Sequence, residues 1–207
     1  MFTLNRRRFS LAAVATTLAA VVPFAAPAKV GGSMTKAGAL TAEDRLEIHE
    51  LYARYAWALG TGDTESFVAC FTSDAVYTED IFEEADRRVG AAAIRAAIES
   101  FRNGHGFPGH QHHAGHIVIE GNNARANAKA FCFVTHCSGE PPYPIRMTGY
   151  YTDVVVKQEG RWLFKERLVR DWSGPILKGF PGQSGKKVPR KRPTDVDSPA
   201  PSSSVTQ

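Results

Sequence analysis

The sequence predicts an α+β fold in which helices come first and strands follow. Apolar residues recur at helical spacing over residues 41–60, whereas over four long runs after residue 110 they alternate with polar ones. The two patterns are segregated along the chain, which argues against a parallel α/β sheet with crossover helices. With 43% hydrophobic residues among 207, the chain has material for one good core.

The first helix starts at Thr41-Ala42-Glu43-Asp44, which resembles a capping box with Asp in place of the usual Glu. Leu46, Ile48, Leu51, Tyr52, Tyr55 and Leu59 then recur on one face, and Gly60 and Gly62 end the helix. Asp63 caps a short second helix that turns Phe67, Val68 and Phe71 inward. Ala75–Asp80 reads as a strand, and Gly90–Arg102 as a third helix with Ile94, Ile98 and Phe101 on one side. A Gly- and His-rich loop, Asn103–Gly109, leads to the strand runs His112–Glu120, Ala124–Cys137, Ile145–Lys157 and Arg161–Asp171. Gly121-Asn122-Asn123 and Glu159-Gly160 supply hairpin turns between them. Alternation is clearest in Trp162 and Phe164 against Leu163 and Lys165.

The ends of the chain read differently. Residues 1–28 combine Arg6-Arg7-Arg8-Phe9, an apolar run from Leu11 to Phe24, and the small-residue exit Ala26-Pro27-Ala28. That is the pattern of a cleavable secretory signal, and the paired arginines followed by Phe9 point to the twin-arginine route. The expected location is periplasmic or extracellular, with no membrane contact after cleavage. Residues 29–40 read as linker, residues 41–177 as the folded domain, and residues 178–207 as a disordered tail rich in Pro, Ser and Lys. Deleting Pro181–Gln207 is therefore expected to leave thermal stability unchanged.

The formal charge of +4 belongs to these ends. Lys29–Leu177 holds 16 basic and 19 acidic residues, a balance that excludes nucleic acid as a natural partner. Cys70, Cys132 and Cys137 are too few and odd in number for a disulfide framework, so they read as ordinary buried or half-buried thiols. Of the histidines His105, His110, His112, His113 and His116, a strand would put His110 and His112 on one face and His113 on the other. Their spacing matches no established metal motif, so no metal is expected.

Four segments carry a family resemblance: Leu51–Asp63 (LYARYAWALGTGD), Phe71–Tyr77 (FTSDAVY), Gln111–Glu120 (QHHAGHIVIE) and Gly160–Lys165 (GRWLFK). In the order helix, helix, strand, helix and four long strands, the chain resembles the cone-shaped barrel superfamily. That superfamily includes scytalone dehydratase, ketosteroid isomerase, the SnoaL-like polyketide cyclases and the nuclear-transport-factor fold. The resemblance implies a cone-shaped α+β barrel, its strongly curved mixed or antiparallel sheet wrapped around the N-terminal helices. It also implies a blind apolar pocket and, by analogy, a homodimer.

The same resemblance implies site residues. His112 falls at the position of the dehydratases' acid/base histidine, and an imidazole there can take or give a proton near neutral pH. His136 comes within one residue of a second family histidine. Tyr55 matches the isomerase's oxyanion-hole tyrosine, Glu79 its carboxylate base with Asp80 adjacent, and Asp153 lies within one residue of its protonated acid. Tyr151 stands where scytalone dehydratase has an asparagine. Gly60 replaces the aspartate that orients the family histidine, so no standard His–Asp dyad is present.

Each residue also has a plainer reading. His112 could be satisfied inside the barrel, and Tyr55 could pack with its hydroxyl on a carbonyl. Glu79 and Asp80 could pair with Arg87, Arg88 or Arg95, and Asp153 with Arg54 or Arg167. Trp57, Phe131, Phe133 and Trp172 are expected to fill the core or line the pocket. The function implied is an exported, cofactor-independent lyase or isomerase. It would act on a small hydrophobic cyclic compound, polyketide-, steroid- or aromatic-like, with His112, His136 and Tyr55 carrying the chemistry. The alternative is a non-catalytic ligand-binding or assembly domain of the same fold.

Overall fold

The computed structural model describes residues 38–104, 109–137 and 141–190. The signal-like segment, His105 and the tail beyond Arg190 lie outside these. The elements run α1 (Ala42–Thr61), α2 (Thr64–Val68), β1 (Phe71–Asp80), β2 (Asp86–Val89), α3 (Ala91–Gly104), β3 (His110–Gly121), β4 (Arg125–His136), β5 (Ile145–Gln158) and β6 (Arg161–Asp171). A 3-10 turn follows at Gly174–Leu177. Strand β2 is an addition to the expected elements. Its register is set by pairing, Val76 with Val89 and Glu79 with Asp86, so no alternation of its own is needed to specify it.

Six strands form one sheet in the order β2-β1-β6-β5-β4-β3. Only β1 and β6 run parallel. The α+β class is as expected, but the sheet does not close: β2 and β3 remain at its two edges. Burial alternates along β4, where Ala126, Ala128, Ala130, Cys132 and Val134 face in. These small residues leave room for the rings that α1 and β6 bring into the concavity.

Helix α1 begins with the expected capping box, Asp44 accepting from Thr41 while the Thr41 side chain accepts from the Asp44 amide. Lys157 and the Trp162 indole also donate to Asp44, at 2.9 and 3.1 Å, fastening the helix start to β5 and β6. Burial alone would raise the Asp44 carboxyl, yet these donors hold it well below the usual carboxylate range. Further along, Ile48, Leu51, Tyr52, Tyr55, Ala58 and Leu59 form the buried stripe.

Trp57 lies on the far side of α1 from that stripe and is 75% exposed, so it does not line the interior. Phe133 is 40% exposed on the outer sheet face, stacked on His113, because Cys132 and Val134 take the inward phase of β4. Phe131 and Trp172 join the same outer aromatic ledge, where their rings meet edge to face.

Residues 178–190 also depart from expectation. Lys187 and Arg190 form ion pairs with Asp80 and Asp171, and Arg190 pairs with Phe82 in an isolated bridge. Partners at the sheet end thus hold a segment whose composition alone reads as loose.

Candidate functional site

Two groups of polar side chains lie on the inner face. The deeper one is centred on Arg167. A bulge on β6 puts it there: Val154 opposes Glu166, but Val155 opposes Phe164, so Lys165 is the extra residue. Unbroken alternation from Trp162 would send Glu166, Leu168 and Arg170 inward. After the bulge, Arg167, Val169 and Asp171 are the buried ones instead.

The Arg167 side chain is fully buried, as is its partner Asp153. Its Nε donates to Asp153 Oδ1 at 3.0 Å and its Nη2 to Oδ2 at 2.9 Å. Four rings surround the guanidinium, with Phe164, Tyr55, Tyr151 and Tyr52 centroids 3.9, 4.0, 4.1 and 4.8 Å from its carbon. Tyr52 donates its hydroxyl to Asp153 as well. Burial opposes the charge on Arg167, but the field of Asp153 holds it protonated. Burial pushes the Asp153 carboxyl up, and Arg167 and Tyr52 offset only part of that rise.

Tyr55 thus packs as a wall of the arginine cage. Its hydroxyl lies 3.4 Å from that of Tyr77, which donates to Glu79 at 3.1 Å. Glu79 in turn pairs with Arg88 at 3.0 Å, while Asp80 pairs with Arg170 at 3.0 Å. Burial, the first cause in each case, raises the Tyr55, Tyr77 and Tyr151 hydroxyls above the usual phenol range. All three therefore stay protonated donors at neutral pH.

The second group sits at the end of the sheet where β3 starts and β4 and β6 finish. His110 opposes His136, and the two rings stack at 4.6 Å. His112 opposes Val134 on the same face, with the Phe101 ring of α3 6.2 Å away. His112 Nδ1 is buried and has no hydrogen-bond partner among the described residues. Burial, with lesser effects from His110 and His113, lowers His112 to about 3, so the ring is neutral at neutral pH. Gly60, the position the resemblance gives to an aspartate, abuts this strand: a Cβ there would lie 3.4 Å from the His110 carbonyl oxygen.

Between the two groups lies a belt of small inward residues, Ala114, Cys132 and Gly149, which align across the sheet with Asp171. The site residues expected from sequence therefore divide. Tyr55, Tyr151 and Asp153 share the arginine cage, with Glu79 linked to it through Tyr77. His112 and His136 stand at the sheet end, Asp80 ends β1 at that same end in its pair with Arg170, and Trp57 and Phe133 lie outside both groups. Tyr77 and Asp171 are site residues that the sequence does not single out, and Arg167 enters there only as one of two partners offered for Asp153. The bulge hides the phase of Arg167 and Asp171, and Tyr77 alternates like any core residue.

The family model for the SnoaL-like domain matches residues 40–168. The chain belongs to that family. Solved structures agree with the assignment. One is a protein of unknown function with a cystatin-like fold from Nostoc punctiforme PCC 73102, 27% identical, with a TM-score of 0.57 and coverage of 67% of this chain and 99% of that one. An NTF2-like protein with a cystatin-like fold from Novosphingobium aromaticivorans is 26% identical, with a TM-score of 0.55 over 64% and 84% of the two chains. A candidate scytalone dehydratase from Novosphingobium aromaticivorans DSM 12444 is 25% identical, with a TM-score of 0.54 over 62% and 84%. No curated protein matches. This SnoaL-like chain thus has a fold of the polyketide-cyclase and isomerase type.

The depressed His112 has a consequence for stability in the SnoaL-like domain. Its proton affinity is lower in the folded state than in the unfolded chain, where histidine titrates near 6.5. As pH falls below that value the unfolded state binds more protons, so stability declines down to about pH 3. A slope of up to ~1.4 kcal/mol per pH unit from this one group is expected in urea titrations. His112→Gln removes that component; an unchanged slope between pH 6 and 4 in the variant would contradict the burial.

Proposed function

We propose that the protein is a cofactor-independent lyase or isomerase acting by proton transfer on a small hydrophobic cyclic compound, polyketide-, steroid- or aromatic-like. The observation that carries this reading is the inward His112, neutral and with its buried Nδ1 unbonded, next to a belt of small residues. A ligand seated beside Ala114 and Cys132 would meet that nitrogen on one side and the tyrosine-lined cage on the other. A neutral imidazole with an uncommitted nitrogen can accept a proton from carbon adjacent to a carbonyl and return it to a leaving hydroxyl. The likeness to a candidate scytalone dehydratase is consistent with that chemistry.

One observation favours the second reading, a non-catalytic binder of the same class of ligand. Burial lowers the basicity of His112, and no carboxylate among the described residues offsets it, Gly60 supplying none. A thermal-shift screen against small steroids, phenolic polyketides and terpenoid ketones, followed by product analysis, separates the two. The enzyme reading expects a stabilising ligand that is converted, and conversion lost in His112→Ala. A ligand bound tightly and recovered unchanged supports the binder.

Export by the twin-arginine route is part of the proposal and rests on Arg6-Arg7 ahead of the apolar run. Replacing Arg6 and Arg7 with lysine is expected to leave the full-length precursor in the cytoplasmic fraction. Mature protein appearing unchanged in the periplasmic fraction would contradict that route.

A further inference from the structure

The sheet end that carries His112 and His136 also carries Asp80, Asp171 and the start of β5, and residues 186–190 are bonded to these last three. Lys187 Nζ reaches Asp80 Oδ1 at 2.8 Å and donates to the carbonyls of Phe82 at 2.6 Å and Glu83 at 3.2 Å. The Val188 amide donates to Ser173 Oγ at 3.3 Å. Arg190 Nε lies 2.8 Å from both oxygens of Asp171, and its Nη1 donates to the Arg146 carbonyl at 2.7 Å. The Arg146 side chain in turn meets His136 Nδ1 at 3.3 Å. The segment thus ties the loop after β1, the end of β6 and the start of β5 together.

Its fastenings are of a kind that can open. They are two half-buried ion pairs and a few hydrogen bonds, with no apolar anchor, since Val188 is exposed. Salt screens such pairs. The lead-in chain contains Gly179 and Gly182, with φ of +94° and +76°, and a Cβ added at either would meet nothing within 4 Å. These are backbone states that non-glycine residues resist, placed where a hinge needs them.

We infer that residues 186–190 form an electrostatic strap across the β1, β6 and β5 side of the sheet end that carries His112, and that lifting it opens the inner face to ligands. The inference rests on the reading that ligands enter at this end. Asp171 lies beneath it, in line with Gly149 and Cys132 on the inner face. Cys132 is therefore an internal reporter of strap opening, and buried Cys70, under α2, is a control from elsewhere in the core.

The test uses the full chain with serine at two cysteines, leaving either Cys132 or Cys70, and follows labelling by an aromatic disulfide reagent. Lys187→Ala with Arg190→Ala is expected to label Cys132 about tenfold faster, from the loss of two ion pairs, while Cys70 labelling changes little. Raising salt from about 20 to about 500 mM should speed Cys132 labelling in the parent and not in the double variant. Cys132 labelling unchanged in the variant overturns the strap. Equal acceleration at Cys70 overturns it too, because the segment would then support the whole fold instead of guarding one end. Neither result depends on a substrate, so the catalytic proposal would stand or fall separately.

Discussion

Arg167→Met is expected to cost about 3–5 kcal/mol of stability, measured as a lowered midpoint in urea at constant slope. The reason is the partner it leaves behind. Asp153 is fully buried, burial pushes its carboxyl up, and two guanidinium bonds and one from Tyr52 offset part of that burial. Without Arg167, that buried carboxyl keeps Tyr52 as its one donor among the described residues and must either hold an unpaired charge or take up a proton. The loss is a large share of what a domain of this size has in total. The paired replacement, Asp153→Leu with Arg167→Met, should recover most of it, because the desolvation of both charges disappears together. A single variant as stable as the parent would show that the pair is open to water.

His112→Ala is expected to reduce the catalysed proton transfer by ~10²–10⁴-fold, the usual contribution of a positioned acid/base group. The fold should survive, since no hydrogen bond from the described residues to the Nδ1 atom is lost. Because burial lowers His112 to about 3, the ring stays in its proton-accepting form throughout the neutral range. The kcat/KM profile of the free enzyme should therefore show no protonation limb between about pH 5 and 8 from this residue. A limb near 6.5, the ordinary histidine value, that vanishes in the variant would mean that His112 is solvated in the working enzyme.

Much of the fold is legible in the sequence because the elements obey simple periods. Helix α1 announces its start through Thr41 and Asp44 and its buried face through Ile48, Leu51, Tyr52 and Tyr55. The alternation of β4 and the turns at Gly121 and Glu159-Gly160 set the meander. What stays hidden depends on partners. Strand β2 exists because β1 pairs with it. Arg167 and Asp171 face inward only because Lys165 bulges. Trp57 and Phe133 look like interior residues for being aromatic, although their own positions point them outward.

The candidate site is legible only in parts. His112 can be placed by its strand and by resemblance. For Asp153 the sequence offers Arg54 or Arg167 as a partner, and the structure selects Arg167. The cage of Tyr52, Tyr55, Tyr151 and Phe164 around one guanidinium needs residues from α1, β5 and β6, and no local pattern brings those together. The strap likewise depends on Lys187 and Arg190 meeting Asp80 and Asp171, from distant parts of the chain.

The most direct test of the His112 site is deuterium uptake from heavy water into a ketone ligand that stabilises the protein, followed by NMR. The parent is expected to exchange the hydrogen next to the carbonyl at least ~100-fold faster than His112→Ala, with both proteins melting at similar temperatures. Equal exchange in the two proteins, or a tightly bound ketone that takes up no deuterium in either, would contradict His112 as the acid/base group.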